Sequence, residues 1–143
     1  MTRKAHIMLV EDNISDQVMV ERALEDGKIA CDLTILSNGQ KALESLREMV
    51  LLDTLPDLIL MDINMPVLDG KQTLQEIRTD AELKLLPVVM LTTSNRDKDI
   101  LESYRLGVNA YLTKPVLDSE FIKTIQQLEN FWFELVVLPG KTK

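Results

Sequence analysis

The sequence has few of the residues that thiol or histidine chemistry needs. It contains one cysteine and one histidine in 143 residues, and only 4% of its residues are aromatic. The lone Cys31 excludes an internal disulfide, which fits a reducing cytoplasm, and we interpret it as a small apolar side chain. His6 has no second histidine with which to share a metal ion, so we interpret it as a structural side chain of the first strand.

Long apolar runs and basic clusters are also absent. No uninterrupted apolar stretch approaches the ~20 residues of a membrane-spanning helix, and the polar lead at residues 1–4 lacks the apolar region of a signal peptide. The 16 lysines and arginines are scattered singly and are outnumbered by 23 aspartates and glutamates. This acidic surface without a basic stripe argues against nucleic-acid binding. The sequence therefore predicts a cytoplasmic protein that binds neither membranes nor nucleic acid.

The residues that are present fit one folded domain. A hydrophobic content of 45% with 27% charged residues is ordinary for a chain that buries a core. We expect a disordered lead over residues 1–4, a domain over 5–136 and a C-terminal extension over 137–143. A second functional domain has no room in this length.

Short apolar runs alternate with longer segments of helical character along the chain. This alternation is typical of βαβ units, so it predicts an α/β fold with a doubly wound five-stranded parallel sheet between two helical layers. The predicted strands lie near 5–10, 31–36, 57–61, 87–92 and 108–112. The predicted helices lie near 14–27, 39–52, 71–81, 97–106 and 118–136.

Local signals mark the ends of several of these elements. Asn38 and Asp118 are predicted to cap the second and fifth helices, because their side-chain oxygens accept unpaired first-turn amides. Gly107 suits the left-handed residue that closes the fourth helix. Pro56 and Pro87 each come just before a strand, where a missing amide donor does least harm.

Polar side chains follow four of the predicted strands. Asp62 comes directly after the apolar run Leu58 to Met61, Glu11 and Asp12 follow the first strand, Thr92 ends the fourth, and Lys114 follows the fifth. Open α/β sheets bind ligands at the carboxyl ends of their strands. Alone, each acid is better explained as a helix cap or turn residue, Thr92 as a capping residue and Lys114 as surface. Their joint placement favours a phosphoryl-transfer site.

Three carboxylates gathered at one sheet edge require a cation or raised proton affinities. Magnesium prefers oxygen ligands and is usually held by one or two carboxylates together with water and a phosphate oxygen. We predict Mg²⁺ with Asp12 and Asp62 as direct ligands, Glu11 through water and Asn64 through its backbone carbonyl. A carboxylate can attack phosphorus to give an acyl phosphate, and Lys114 and Thr92 supply donors for the phosphoryl oxygens.

Taken together, these residues resemble the receiver domain of two-component response regulators over about residues 5 to 132. Glu11 and Asp12 look like the acidic pair, Asp62 like the phosphoacceptor, Thr92 like the switch hydroxyl, and Lys114-Pro115 like the lysine–proline step, usually a cis peptide bond. The loop residues Met65-Pro66 and Asp69-Gly70 match as well. Thr93 stands where many members have a smaller residue. The segment from Asp12 to Asp62 is somewhat long, and its extra residues are assigned to residues 48–55, as an extended second helix or its loop.

The resemblance implies a flavodoxin-like receiver fold with strand order 2-1-3-4-5. It also implies magnesium-dependent transfer of a phosphoryl group from a sensor histidine kinase to Asp62, in a switch that catalyses only its own phosphorylation and dephosphorylation. Thr92 would then move toward the phosphoryl group and draw Tyr111 from an exposed to a buried position. Asn64 and Ser94 occupy positions that tune dephosphorylation in the family.

The C-terminal segment combines a core face with additional apolar residues. A face at helical periodicity is predicted to pack on the sheet and contains Phe121, Ile122, Ile125, Leu128, Trp132 and Leu135. A second set is predicted to form an interface with another chain and contains Phe131, Phe133, Val136, Val137 and Leu138. The alternative is a tail that folds back onto its own core. This end is also similar to receivers that serve bacterial phytochromes, which implies a homodimer and a phytochrome as the kinase.

Two other functions are compatible with the same fold. A binding or scaffold module that no longer uses phosphorylation is the first alternative, although the intact Asp12, Asp62, Thr92 and Lys114 argue against it. A hydrolase that works through an aspartyl phosphate is the second. It is disfavoured because Asn64 occupies the position where a second carboxylate would be expected.

Overall fold

A computed structural model describes residues 4–139 of the chain. The strands are β1 (Ala5–Val10), β2 (Cys31–Leu36), β3 (Leu58–Met61), β4 (Val88–Thr92) and β5 (Ala110–Thr113). The helices are α1 (Ile14–Glu25), α2 (Gly39–Leu52), α3 (Gly70–Thr79), α4 (Asp97–Arg105) and α5 (Asp118–Asn130), followed by a π-helical turn (Phe131–Leu135). Most of the lead predicted to be disordered, residues 1–3, lies outside the described residues, as do residues 140–143 of the predicted extension.

All five strands are parallel, in the order β2-β1-β3-β4-β5. This arrangement confirms the predicted doubly wound sheet and the order that the resemblance implies. Within residues 4–139, none of the helices has both the length and the apolar content needed to cross a bilayer.

The central strands are buried on both faces, because successive side chains of a strand point to opposite sides of the sheet. In β3, Ile59 and Met61 pack with α2 and α3 on one side. Leu58 and Leu60 pack with α1 and α5 on the other. The continuous apolar run before Asp62 is therefore a strand covered by helices on both faces, and this gives the three predicted layers.

The register of the sheet aligns the strand ends that carry polar residues. Val10 at the end of β1 pairs with Met61 at the end of β3, and Thr92 at the end of β4 pairs with Thr113 of β5. The next residue on each of these strands continues into a loop at the same edge. The fold therefore brings the polar residues at the ends of β1, β3, β4 and β5 to the same edge of the sheet, at the carboxyl ends of the strands.

The local signals for α2 and α4 are confirmed, whereas the cap predicted for α5 is wrong. The Asn38 side chain accepts from the Lys41 amide at 3.0 Å, and α2 extends to Leu52 before Asp53 turns left-handed. Gly107 follows α4 with φ +98°. Asp118 is instead the first residue of α5, and the N-cap is Leu117 without a side-chain hydrogen bond. An acid in the first turn still interacts favourably with the helix dipole.

The C-terminal helix differs from the continuous helix predicted over 118–136. The α-helix ends at Asn130, a π-helical turn follows, and the backbone becomes extended at Val136. A π-turn holds more residues than an α-turn, so it shifts the face that later side chains present. Trp132 is buried as predicted, but Leu135, predicted for the same core face, is 72% exposed.

Candidate functional site

The acidic residues predicted to form the site lie together at the carboxyl end of β1 and β3. Glu11, Asp12 and Asp62 each offer a carboxylate oxygen, and these atoms lie within 4.8 Å of one another. The pairing of β1 with β3 positions them, because the Asp62 amide donates to the Val10 carbonyl at 3.0 Å. Glu11 and Asp62 are buried, and Asp12 is exposed.

Lys114 joins this cluster from the end of β5, an edge strand of the sheet. Its amide donates to the Thr92 carbonyl at 2.7 Å, which continues the pairing of β4 with β5. Its Nζ lies 2.5 Å from Glu11, 2.7 Å from Asp16 and 3.3 Å from Asp62. The Lys114 side chain is only 5% exposed, so one buried ammonium group is shared by three carboxylates.

The charges of the cluster do not balance. Burial raises the pKa of Glu11, and the hydrogen bond from Lys114 only partly opposes this effect. Burial alone would lower the pKa of Lys114, but hydrogen bonds to Asp16 and Glu11 and the charge of Asp62 raise it above its ordinary value. One lysine beside several acids leaves an excess of negative charge. A set of oxygen donors with this charge fits a hard divalent cation such as Mg²⁺.

The backbone behind Asp62 is fixed by a loop that leaves no room for a side chain at Gly70. The Ile63 amide donates to the Asp62 carboxylate at 2.7 Å, and the Gly70 amide donates to the Ile63 carbonyl at 2.8 Å. A Cβ on Gly70 would overlap the Asp62 carbonyl oxygen. Val67 adopts φ 68° in a tight turn of the same loop, which is unfavourable for a β-branched residue. The loop therefore holds the carboxylate in place from behind.

Thr92 and Tyr111 both contact Ser94, in the loop between β4 and α4. Thr92 is fully buried, and its hydroxyl oxygen accepts from the Ser94 amide at 3.3 Å. Tyr111 is half-buried, and its hydroxyl donates to the Ser94 carbonyl at 2.9 Å. Burial also raises the pKa of Tyr111. The proposed switch hydroxyl and the proposed switch aromatic therefore share one neighbour.

Two expectations for this region have different outcomes. Asn64 is exposed in the loop after Asp62, and its part as a backbone-carbonyl ligand stays a prediction. The cis bond that the resemblance implies at Lys114-Pro115 is not found, because no peptide bond among residues 4–139 is cis. The two isomers before a proline differ intrinsically by only about 0.5–1 kcal/mol.

The structure adds contacts that the sequence alone did not indicate. Asp16 on α1 pairs with Lys114, and the Gln17 side chain donates to the Glu11 carbonyl at 2.6 Å. The Asn13 side chain caps α1, and the Asn13 backbone amide donates to the Glu11 carboxylate at 3.2 Å. No motif in the sequence marks Asp16, because its ion pair joins the first turn of α1 to a residue 98 positions further along the chain.

The residues predicted to form the C-terminal interface divide into two groups. Phe133 and Leu138 are partly buried against the core on the α1 and α5 side, as the alternative of a folded-back tail requires. Phe131 and Val137 are exposed, and Val136 is half-buried. The segment therefore covers part of its own core and leaves separate apolar side chains in solvent.

Comparisons with known proteins agree with this geometry. Residues 7–126 match the response regulator receiver domain family. The chain is 41% identical over 136 residues to the response regulator Rcp1 of Synechocystis sp., covering 94% of this chain and 92% of that protein.

Two solved structures are also similar. The structure of the phosphorylated cyanobacterial phytochrome response regulator RcpA has a TM-score of 0.91 at 36% identity, covering 96% of this chain and 100% of that one. The Mn²⁺-bound form of Rcp1 has a TM-score of 0.87 at 40% identity, covering 95% and 99%. The fold, the acidic cluster with its lysine, and these matches together identify the chain as a member of the response regulator receiver domain family.

Proposed function

We propose that this chain is a phosphoacceptor switch. It accepts a phosphoryl group from a phosphohistidine of a sensor histidine kinase onto Asp62, in a magnesium-dependent reaction, and signals through altered protein–protein interaction. The observation that carries this proposal is the Asp62 carboxylate itself, which lies 3.3 Å from Lys114 Nζ and beside Glu11 and Asp12. Nucleophile, cation ligands and a positive donor therefore lie in one cluster.

The residues of the cluster have separate tasks in this transfer. The Asp62 carboxylate attacks phosphorus while the bond from phosphorus to the histidine nitrogen breaks. Mg²⁺ would be held by Asp12, Asp62, the Asn64 carbonyl and, through water, Glu11, and it would neutralise charge on the phosphoryl oxygens. Lys114 donates to another of these oxygens. The Thr92 oxygen already accepts from Ser94, so its own proton is available for a third.

A protein donor is supported by apolar side chains around the acidic edge. Val67 lies in the loop after Asp62, Ile14 begins α1, and Val116 and Leu117 follow Lys114, and all four are exposed. Val116 is 97% exposed. Exposed apolar side chains grouped beside polar residues are typical of a surface that docks another protein. A kinase domain that presents its phosphohistidine to Asp62 would cover these side chains.

The class of kinase and the cellular location are proposed from different observations. The similar protein RcpA is described as a cyanobacterial phytochrome response regulator, which supports a phytochrome as the kinase partner of this chain. The single cysteine, which excludes an internal disulfide, supports a cytoplasmic location. Neither a membrane nor a nucleic acid is proposed as a partner.

The experiment that tests this function measures covalent phosphorylation. We expect the wild-type chain, incubated with acetyl phosphate and Mg²⁺, to gain one phosphoryl group that hydroxylamine removes. Asp62→Asn is expected to gain none, because the amide is not a nucleophile toward phosphorus. Intact-mass spectrometry measures both results.

Asp69→Asn is the matched control for this experiment. Asp69 lies in the same loop and caps α3 through its side chain, a task that asparagine performs equally well. This variant should label like the wild type. Labelling of Asp62→Asn at the wild-type level would refute Asp62 as the phosphoacceptor, and failure of the wild type to label would favour the phosphorylation-independent binding module.

A homodimer through the C-terminal segment is a further part of this proposal. Phe131 is 52% exposed, and Leu135 and Val137 are each 72% exposed, in a segment whose Trp132, Phe133 and Leu138 pack on the core. Deleting residues 134–143 is expected to lower the molar mass measured by light scattering from a dimer to a monomer, because two of these three side chains are lost. A monomeric mass for the full chain would contradict the dimer.

A further inference from the structure

Asp99 is a buried carboxylate that has no part in the phosphoryl transfer described above. Its side chain is 3% exposed, and it lies on α4, outside the acidic cluster. It accepts from Lys71 Nζ at 2.5 Å, from the Ser94 hydroxyl at 2.5 Å and from Arg96 Nε at 3.1 Å. The hydrogen bond from Lys71, followed by those from the other donors, holds the pKa of Asp99 well below its ordinary value. Asp99 is therefore an ionised and fully partnered group inside the fold.

Two of the partners of Asp99 lie in different segments, Lys71 at the start of α3 and Ser94 in the β4–α4 loop. Lys71 is the second residue of α3, directly after Gly70, whose amide fixes the loop that follows Asp62. Ser94 lies two residues beyond Thr92, in the loop that leads into α4. The buried Asp99 carboxylate therefore connects the start of α3 with the β4–α4 loop through a charged pair and a short hydrogen bond.

The residue that Asp99 holds is also the one that positions Thr92 and Tyr111. The Ser94 amide donates to the Thr92 hydroxyl, and the Ser94 carbonyl accepts from the Tyr111 hydroxyl. The Ser94 hydroxyl donates to the Asp99 carboxylate. Loss of the hydrogen bond between Asp99 and Ser94 would therefore also move the Ser94 backbone groups that contact the Thr92 and Tyr111 hydroxyls.

We propose that Asp99 is a positioning residue of the switch, which through Ser94 sets the equilibrium between the inward and outward arrangements of Tyr111 and the place of the Thr92 hydroxyl. This inference rests on the proposed function, because it assigns the regulation of the same site. While Asp99 binds the Ser94 hydroxyl, the Ser94 carbonyl stays in reach of Tyr111. This contact favours the inward arrangement of Tyr111.

The two tyrosines of the chain provide a spectroscopic test. Tyr111 and Tyr104 are the only tyrosines in the sequence, and Tyr104 is exposed on α4. Labelling with 3-fluorotyrosine gives two ¹⁹F resonances, assigned by Tyr111→Phe. The difference in shift between H₂O and D₂O measures the exposure of each ring. Tyr104 is the internal reference in every variant.

Ser94→Ala and Asp99→Asn are expected to change the Tyr111 resonance in the same direction. In the unphosphorylated protein, the solvent isotope shift of Tyr111 should approach that of the exposed Tyr104. The equilibrium between the two arrangements should change about tenfold, the equivalent of one hydrogen bond to a charged group. The double variant should resemble Ser94→Ala, because the hydrogen bond that Asp99→Asn weakens is already absent there.

Glu102→Gln is the matched control. Glu102 also pairs with Lys71, at 2.7 Å, and lies on the same helix as Asp99, but it does not contact Ser94. The substitution removes the same charge, so it should leave the Tyr111 resonance unchanged. If it shifts Tyr111 as far as Asp99→Asn does, a general change in charge explains the effect and the proposal is overturned.

The remaining outcomes also decide the proposal. An unmoved Tyr111 resonance in a folded Asp99→Asn or Ser94→Ala protein would overturn it. If Asp99→Asn does not fold by circular dichroism, Ser94→Ala decides alone, because it retains the pair between Lys71 and Asp99. These spectra are recorded without phosphorylation. A wild-type chain that takes no phosphoryl group would therefore count against the proposed function and leave the role of Asp99 to the spectra.

Discussion

Lys114→Met is expected to lower the free energy of unfolding of the metal-free protein by about 3–5 kcal/mol, the loss typical when one partner of a buried ion pair is removed. Lys114 Nζ contacts Glu11, Asp16 and Asp62, and its side chain is 5% exposed. Without it, these carboxylates repel one another in a site that burial already makes unfavourable for charge. The loss should be larger at high pH, because protonation of Glu11 relieves the repulsion.

Urea denaturation with and without Mg²⁺ measures this effect. The cation is expected to restore part of the lost stability, because it supplies positive charge to the same carboxylates. Even at saturating Mg²⁺, acetyl phosphate should phosphorylate Lys114→Met much less than the wild type, because no group replaces the Lys114 donor to the phosphoryl oxygen.

Lys98→Met is the control for this loss. Lys98 is exposed, and its ion pair with Glu102 has an N···O distance of 3.9 Å, so its removal should leave both stability and labelling unchanged. Equal and small losses for the two lysine variants would show that Lys114 does not neutralise the acidic cluster.

The second large effect is expected from Glu129 as the pH rises. Glu129 is 1% exposed, and neither of its carboxylate oxygens has a hydrogen-bond partner among residues 4–139. Its carboxylate lies so close to Gly27 that a Cβ there would overlap it. Burial raises the pKa of Glu129 from 4.5 to about 7. This side chain is therefore more easily protonated in the folded chain than in the unfolded one.

The sign of the pH dependence follows from this difference. Between pH 4.5 and 7 the folded state binds more protons at Glu129 than the unfolded state does, so stability falls as the pH rises through this window. The contribution that is present at pH 4 should be lost by pH 8, and it amounts to about 3 kcal/mol. Glu129→Met should remove this part of the slope and be more stable than the wild type at pH 8.

Denaturation midpoints across this pH range provide the test. Glu11 also has a raised pKa, so the informative quantity is the difference in slope between the wild type and Glu129→Met. Glu134→Gln serves as the control, because Glu134 is exposed in the neighbouring π-helical turn. A slope for Glu129→Met that matches the wild type would mean that Glu129 is not buried as an unpaired acid.

The elements that the sequence predicted well are those with strong local signals. The bounds of α2 follow from Asn38, whose side chain caps the helix, and from an apolar period that continues to Leu52. The central strands follow from apolar runs of a length typical of strands buried on both faces. The π-helical turn could not be predicted in this way, because Phe131 to Leu135 continue a helical pattern.

The candidate site likewise contains residues that the sequence predicted and contacts that it did not. Asp62, Thr92 and Lys114 could be predicted as neighbours, because parallel strands place their carboxyl ends at one edge of the sheet. The pairing of Lys71 with Asp99 could not, because the two residues lie on different helices and no local pattern links them. Side-chain geometry was needed to relate the Asp99 carboxylate to Ser94.

The most direct measurement of the central claim locates the phosphoryl group itself. Wild-type chain phosphorylated by acetyl phosphate in Mg²⁺ is reduced with borohydride, which converts an aspartyl phosphate to homoserine, and its peptides are sequenced by mass spectrometry. We expect homoserine at position 62 and at no other acid, and none when Mg²⁺ is replaced by a chelator. Homoserine at Asp12 or another carboxylate, with Asp62 unmodified, would contradict the assignment of Asp62 as the phosphoacceptor.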